Sequence, residues 1–224
     1  MAAGFSGFGR DMMPFFMELA AQQSRDWFLA NKHRYTRDVA TPLEQLMDSL
    51  TLALAARDVP LLGTRASIFR LNRDIRFSRD KAPYKTHASA VLTRTGTKKS
   101  LGLLYIHFGP DRSFTALGFH SLEPAPLSAL RDAILDDQAG WRRVIAELAA
   151  AGLAISRENM TARLPRLYQA QAVGDLADWF RLKSLIVSRE LPQEALFDPG
   201  LVDTIADFAT AGLPLLRFGW RVLG

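Results

Sequence analysis

With 224 residues, 23% of them charged and 48% hydrophobic, the chain has the composition of a globular protein able to bury about 70–75% of its unfolded surface, which excludes disordered and fibrous classes. It has no cysteine, so disulfides, thiol nucleophiles and Cys-ligated zinc are excluded as well. The net charge of +5 is unevenly spread: residues 61–100 carry ten Lys/Arg against two acids and the remainder 18 against 21, so an electrostatic partner meets that one block first.

The first residues lack a basic segment followed by an apolar one, and no later run approaches the roughly 18 apolar residues of a membrane span, so a cytoplasmic location with no membrane partner is expected. "GFSGFG" at Gly4–Gly9 precedes a helix without any preceding strand, which argues against a nucleotide loop and reads as a flexible terminus. Pro14 lies near one helix start, and Ser24 is placed to cap a second helix over "RDWFLANKHRYTRDV". Thr41-Pro42 repeats the cap-then-proline signal before Leu43, Leu46, Met47, Leu50 and Leu54, which keep helical spacing.

From Ser67 the period changes to two. Phe69, Leu71, Ile75 and Phe77 share one parity, interrupted by Arg73, while Arg70, Asn72, Asp74, Arg76 and Ser78 take the other, predicting an extended segment with a core face and a polar face. "THASAVLTRT", "LGLLYIHFG" and "SFTALGFH" follow as strands joined by short loops. After Pro124 the helical period returns, with Trp141, Val144, Ile145 and Leu148 on one stripe and Gly152 just past its end. "DLADWFRL" predicts a short helix, "SLIVSREL" a late strand, and Asp198-Pro199 opens a last helix through Phe208. This order indicates one α+β domain over residues 1–224, helical over 10–58, sheet-forming over 66–120, and helical with a late strand over 124–222. An antiparallel β-meander of about four to six strands would pack against N-terminal and C-terminal helices.

Three segments carry a family resemblance: Arg25-Asp26-Trp27-Phe28 with Asn31-Lys32 and Tyr35; the motif from Phe69-Arg70 through Pro83-Tyr84-Lys85-Thr86-His87; and Lys183-Ser184 through Glu190-Leu191. In these the chain resembles the domain-of-unknown-function family 2461, a set of uncharacterised bacterial and fungal proteins. The resemblance implies a single whole-chain domain and brings no activity, substrate or cofactor with it. After Pro165-Arg166, where relatives tend to continue with Gly, this chain has Leu167-Tyr168.

The residues themselves suggest an anion site. Arg70, Arg76, Lys81 and Lys85, with Tyr84 beside them, offer forked and point-charge donors for a phosphate- or carboxylate-containing small molecule, and Pro83 favours a defined loop that returns Lys81 and Lys85 toward the strand. The alternative is that these cations pair internally, with Asp74 and Asp80 as local candidates. Arg73, on the apolar parity, must be paired or must snorkel, and Asp26 and Glu190 in the other two segments are candidate salt-bridge partners. His87 with Asp74 is a candidate proton-handling pair should the protein be an enzyme. Phe69, Phe77 and Tyr84 among the cations raise nucleic-acid binding as a second class, although parity turns Phe69 and Phe77 to the core and leaves Tyr84 to stack. A non-enzymatic domain docking an acidic partner protein is the third. No metal site is expected: if Phe108 pairs with Phe114, His107 lies opposite Thr115 and His120 falls on the other face.

Overall fold

The structure is a computed structural model and describes residues 4–171 and 174–224. Helix α1 (Met12–Gln22) turns Met12, Phe15, Phe16 and Leu19 inward and ends where Gln23 takes a left-handed φ of 32°. Ser24 caps α2 (Arg25–Tyr35), its hydroxyl accepting from the Trp27 N–H at 3.2 Å. The expected break at Thr41-Pro42 is absent. Thr36–Ala40 forms a π-turn that carries the helix directly into α3 (Thr41–Ala55), and the Thr41 N–H reaches back to the Thr36 carbonyl. Pro42 has no N–H to donate, and the widened turn puts that missing bond at the junction, where the helix tolerates it.

Nor is Gly4–Gly9 a loose end. Phe5 and Phe8 are buried in the core, the Phe8 N–H bonds the Leu196 carbonyl at 2.9 Å, and the Phe8 ring lies 5.0 Å from that of Phe108. Gly7 has φ +108°, and a Cβ there would come within 2.5 Å of the Phe197 carbonyl oxygen. The glycines that suggested flexibility instead permit a close backbone crossing that drops two phenylalanines into the core.

Strands β1 (Ala88–Thr93), β2 (Leu103–Phe108), β3 (Ser113–Phe119) and β4 (Leu185–Glu190) form one antiparallel sheet in that order. Between β3 and β4 come α4 (Pro124–Asp136), α5 (Gln138–Ala150) and α6 (Leu176–Arg181). The last helix, α7 (Leu201–Leu223), does not stop at Phe208 but continues through Pro214. It packs on the face carrying Leu104, Ile106, Phe108, Leu117, Phe119 and Val187. The approach is close at Gly212 and Gly219, where an added Cβ would meet Leu117 at 2.7 Å and Phe119 at 2.2 Å. Fold class therefore matches the expectation: a four-stranded antiparallel sheet packed against helices in an α+β protein.

Two local expectations fail. Phe108 pairs with Ser113 rather than Phe114, because the loop closes over four residues and the Ser113 hydroxyl accepts from the Gly109 N–H at 3.2 Å. A one-residue slip reverses every side chain. His107 therefore sits opposite Phe114, and His120 shares its face. Residues 69–78, moreover, do not make a strand of the sheet. Phe69 bonds Ser89 on the outer edge of β1 at 2.9 Å, then the chain doubles back on itself. The Arg73 N–H donates to Pro83 and the Lys85 N–H to Leu71. Beyond those arms the tip has no core beneath it, and Phe77 is 96% exposed.

Candidate functional site

The doubled-back motif builds a basic recess of about 440 Å³ lined by Phe69, Arg70, Asn72, Arg73 and Asp74 from its outgoing arm and Lys85 from its returning arm. A further cation, Lys98, arrives from the β1–β2 connection, where its ammonium donates to the Ile68 carbonyl at 2.7 Å. The Lys85 and Lys98 ammonium groups lie 5.1 and 5.0 Å from the centroid of the Phe69 ring. Burial pushes the Lys85 pKa down, and repulsion from Lys98 and Arg70 adds to it. Among the described residues none of Arg70, Lys85 and Lys98 has a carboxylate within ion-pair distance.

Three other cations of the motif, Arg73, Arg76 and Lys81, are committed elsewhere. Arg76 grips Asp74 with two bonds of 3.0 and 2.7 Å, and its side chain and backbone N–H hold that carboxyl below the usual carboxylate range. Arg73 pairs with Asp80, whose carboxyl is also held low, first by the Ala82 N–H and then by Arg73. Lys81 donates to the Ile75 carbonyl at 3.1 Å, near the exposed tip. Tyr84 is 5% exposed, packed on Phe28 at 4.7 Å, with its backbone bracketed by the Gln23 amide at 3.0 and 3.2 Å. Asp26 stands exposed in the first turn of α2, and Glu190 pairs with Arg112, so Arg73, Asp26 and Glu190 do not bridge one another.

His87 and Asp74 line different recesses. His87 opens, with Gln23, Arg73, Asp80 and Lys85, onto a recess of about 340 Å³, whereas Asp74 belongs to the basic one. The His87 ring stacks on His107 at 4.1 Å, and the Nδ1 of His107 lies 3.1 Å from the Tyr105 hydroxyl. Burial, then the Lys85 charge, lowers the His87 pKa. Burial, then His87 and Arg112, pushes His107 down to about 4. Both imidazoles are held neutral at physiological pH, the form that accepts a proton.

A second cavity, of about 480 Å³, occupies the sheet face that α7 leaves open. Its floor takes residues from all four strands: Val91, Leu103, Tyr105, Phe114, Ala116, Ile186 and Ser188. Phe69 lines it along the β1 edge. Ser156 lines it along the β4 edge, held there by its N–H to the Ile186 carbonyl at 2.8 Å. Small residues make the depth, since Ala116 and Ser188 are register partners at the centre, while the large rings of Phe69, Tyr105 and Phe114 rise around them. Sequence reasoning missed this site and Lys98. The alternation in β2 and β3 marked one face apolar but not which edges would be walled, and the β1–β2 turn gave no sign of folding back to Phe69.

A smaller recess of about 250 Å³ between α5 and α7 is crossed by an Arg221–Asp137 pair at 3.2 Å. Among the described residues no group of three His, Asp or Glu is placed to hold a metal ion, and no helix is long and apolar enough to cross a membrane.

The architecture is thus an α+β protein with a basic recess and an aromatic cavity meeting at Phe69. Residues 11–218 match the model of the family described as conserved hypothetical protein (DUF2461), and the chain belongs to that family. Nothing matches among the curated proteins or the solved structures.

Proposed function

We propose that this protein recognises a small molecule through a phosphate or carboxylate group seated between Arg70, Lys85 and Lys98. One observation carries the reading: these three cations converge without an acidic partner, whereas Arg73 and Arg76 of the same motif are paired. Like charges held together raise the energy of the empty site, and an anion relieves that repulsion while gaining charge-assisted hydrogen bonds. Arg76, Lys81 and Tyr84, expected to share the grip, contribute by shaping the loop: Arg76 immobilises Asp74, Lys81 closes the tip, and Tyr84 anchors the returning arm to α2. In an enzymatic version, neutral His87, whose recess shares Lys85 with the basic one, is the base, and Asp74, gripped by Arg76 and outside that recess, only holds the loop.

The test is a low-salt titration with inorganic pyrophosphate, read by thermal shift. Near saturation the wild type should gain roughly 5–10 °C. The double variant Lys85→Gln/Lys98→Gln should gain almost nothing while keeping its own fold. No shift in the wild type, or an equal shift in the variant, overturns the reading.

Nucleic-acid binding keeps one specific support. Phe77 is fully presented to solvent with the Arg76 guanidinium 5.9 Å from its ring, a stacking element on a basic loop. The ring free to stack is therefore Phe77 and not the buried Tyr84. A short oligonucleotide in the same titration, with affinity falling steeply between low and moderate salt, would favour this second reading.

A further inference from the structure

We propose that the open-face cavity holds the apolar body of the same ligand, so that the ligand class is an organic anion with a planar, ring-sized body rather than a bare inorganic ion. The inference rests on the anion reading above and extends it from a charge to a molecule.

Phe69 is the reason to join the two spaces. It lines both, with Lys85 and Lys98 each about 5 Å from its ring on the recess side and Tyr105 on the cavity side at a centroid distance of 6.3 Å. A molecule lying against Phe69 therefore meets cations at one end and aromatic surface at the other. The cavity is bounded rather than flat, enclosed by Phe69 along one sheet edge and Ser156 and Glu158 along the other, and its volume of about 480 Å³ is in the range of small-molecule sites. A recess of this volume walled at both sheet edges suits a small molecule better than a covering protein chain, which would use a flat face.

The lining selects the body. Phe69, Tyr105 and Phe114 present edges and faces to a shared space, with Tyr105 and Phe114 at 5.8 Å, an arrangement that favours a flat, polarisable occupant. Val91, Leu103 and Ile186 complete an apolar floor. Polar groups are fewer: Arg112, stacked over Phe114 at 4.2 Å, and His120 toward the ends, Ser156 and Glu158 along the β4 edge, and the Ser188 hydroxyl on the floor. Water in such a space finds few partners, so its displacement by an apolar ring is favourable.

Three probes separate this inference from the one beneath it: inorganic phosphate, 1-naphthyl phosphate and uncharged 1-naphthol, each titrated calorimetrically at low salt. Naphthyl phosphate should bind the wild type about tenfold or more tighter than phosphate, as expected for burying one ring system. Ala116→Trp fills the cavity floor and should erase that gain while leaving phosphate affinity within about twofold. Ser188→Trp enters from the exposed position opposite Ala116 and serves as the second variant should the first fail to fold. If phosphate binds but naphthyl phosphate binds no tighter, or if a folded Trp variant keeps the full gain, this inference falls and the anion reading stands. If phosphate does not bind while 1-naphthol binds and Ser188→Trp expels it, the anion reading falls and the joined ligand class falls with it.

Discussion

Acid should loosen this protein through His107. The ring is sandwiched between His87 at 4.1 Å and Phe114 at 4.9 Å, and burial, with His87 and Arg112 nearby, holds its pKa at about 4. In the unfolded chain an imidazole titrates near 6.5. Between those values the unfolded state binds more protons than the folded one, so stability rises with pH from about 4 to about 6.5 and is level above. The difference of about 2.5 pH units corresponds to a ceiling of about 3.4 kcal/mol, and the ring's partial exposure reduces this to about 1–2 kcal/mol. His107→Phe keeps a ring in the stack and removes the proton site. Urea unfolding of both proteins at pH 7.5 and 4.5 gives the comparison: the wild type should lose about 1–2 kcal/mol more than the variant on acidification. His87, lowered by burial and by Lys85, remains in both proteins, so the difference belongs to His107. Equal losses, or a larger loss in the variant, would refute an enclosed neutral imidazole at this position.

Two further substitutions probe the scaffold that positions the site. Phe8→Ala should cost about 3–5 kcal/mol in chemical denaturation, because its buried ring packs on Phe108; a cost near zero would return Gly4–Gly9 to the status of a loose end. Gly118→Ala should destabilise by at least about 1–3 kcal/mol, since φ is +136° and a Cβ would sit 2.1 Å from the Leu185 carbonyl oxygen, and β4 should lose protection from hydrogen exchange before β1 does.

Both proposed spaces depend on β1 having an occupied outer edge. Leu62 pairs with Thr93 and Ile68 with Ala90, so all six residues of β1 are buried although it is the first strand of the sheet. That coverage protects an edge that would otherwise template pairing with another chain. It also places Phe69 at the rim of the open face, where one side chain separates charge from apolar surface.

Outside residues 69–78, the sequence by itself determined the element types and their order. Helical stripes such as Leu43–Leu54, the Ser24 cap and the β-branched run at Leu185–Glu190 are local signals, set by side-chain period and backbone preference, and each appears where its pattern lies. It also placed the charge in one block, because charge is simply counted. Tertiary structure decided what those elements meet. The slip that brings His107 opposite Phe114 turned on one Ser113 hydroxyl bond in a four-residue loop, a contact no alternation pattern encodes. Alternation from Phe69 marked the more buried side as far as Ile75 and failed at Phe77, because the tip projects past the sheet and period two predicts burial only where a second layer exists to cover the apolar side. Which cations stay unpaired was likewise settled in three dimensions. Arg76 found Asp74 two residues away, while Lys85 and Lys98, thirteen positions apart, were brought to one ring by a doubled-back arm and a hairpin turn. Pairing is a matter of distance in space, and distance between separate arms of a chain exists only after packing has fixed them.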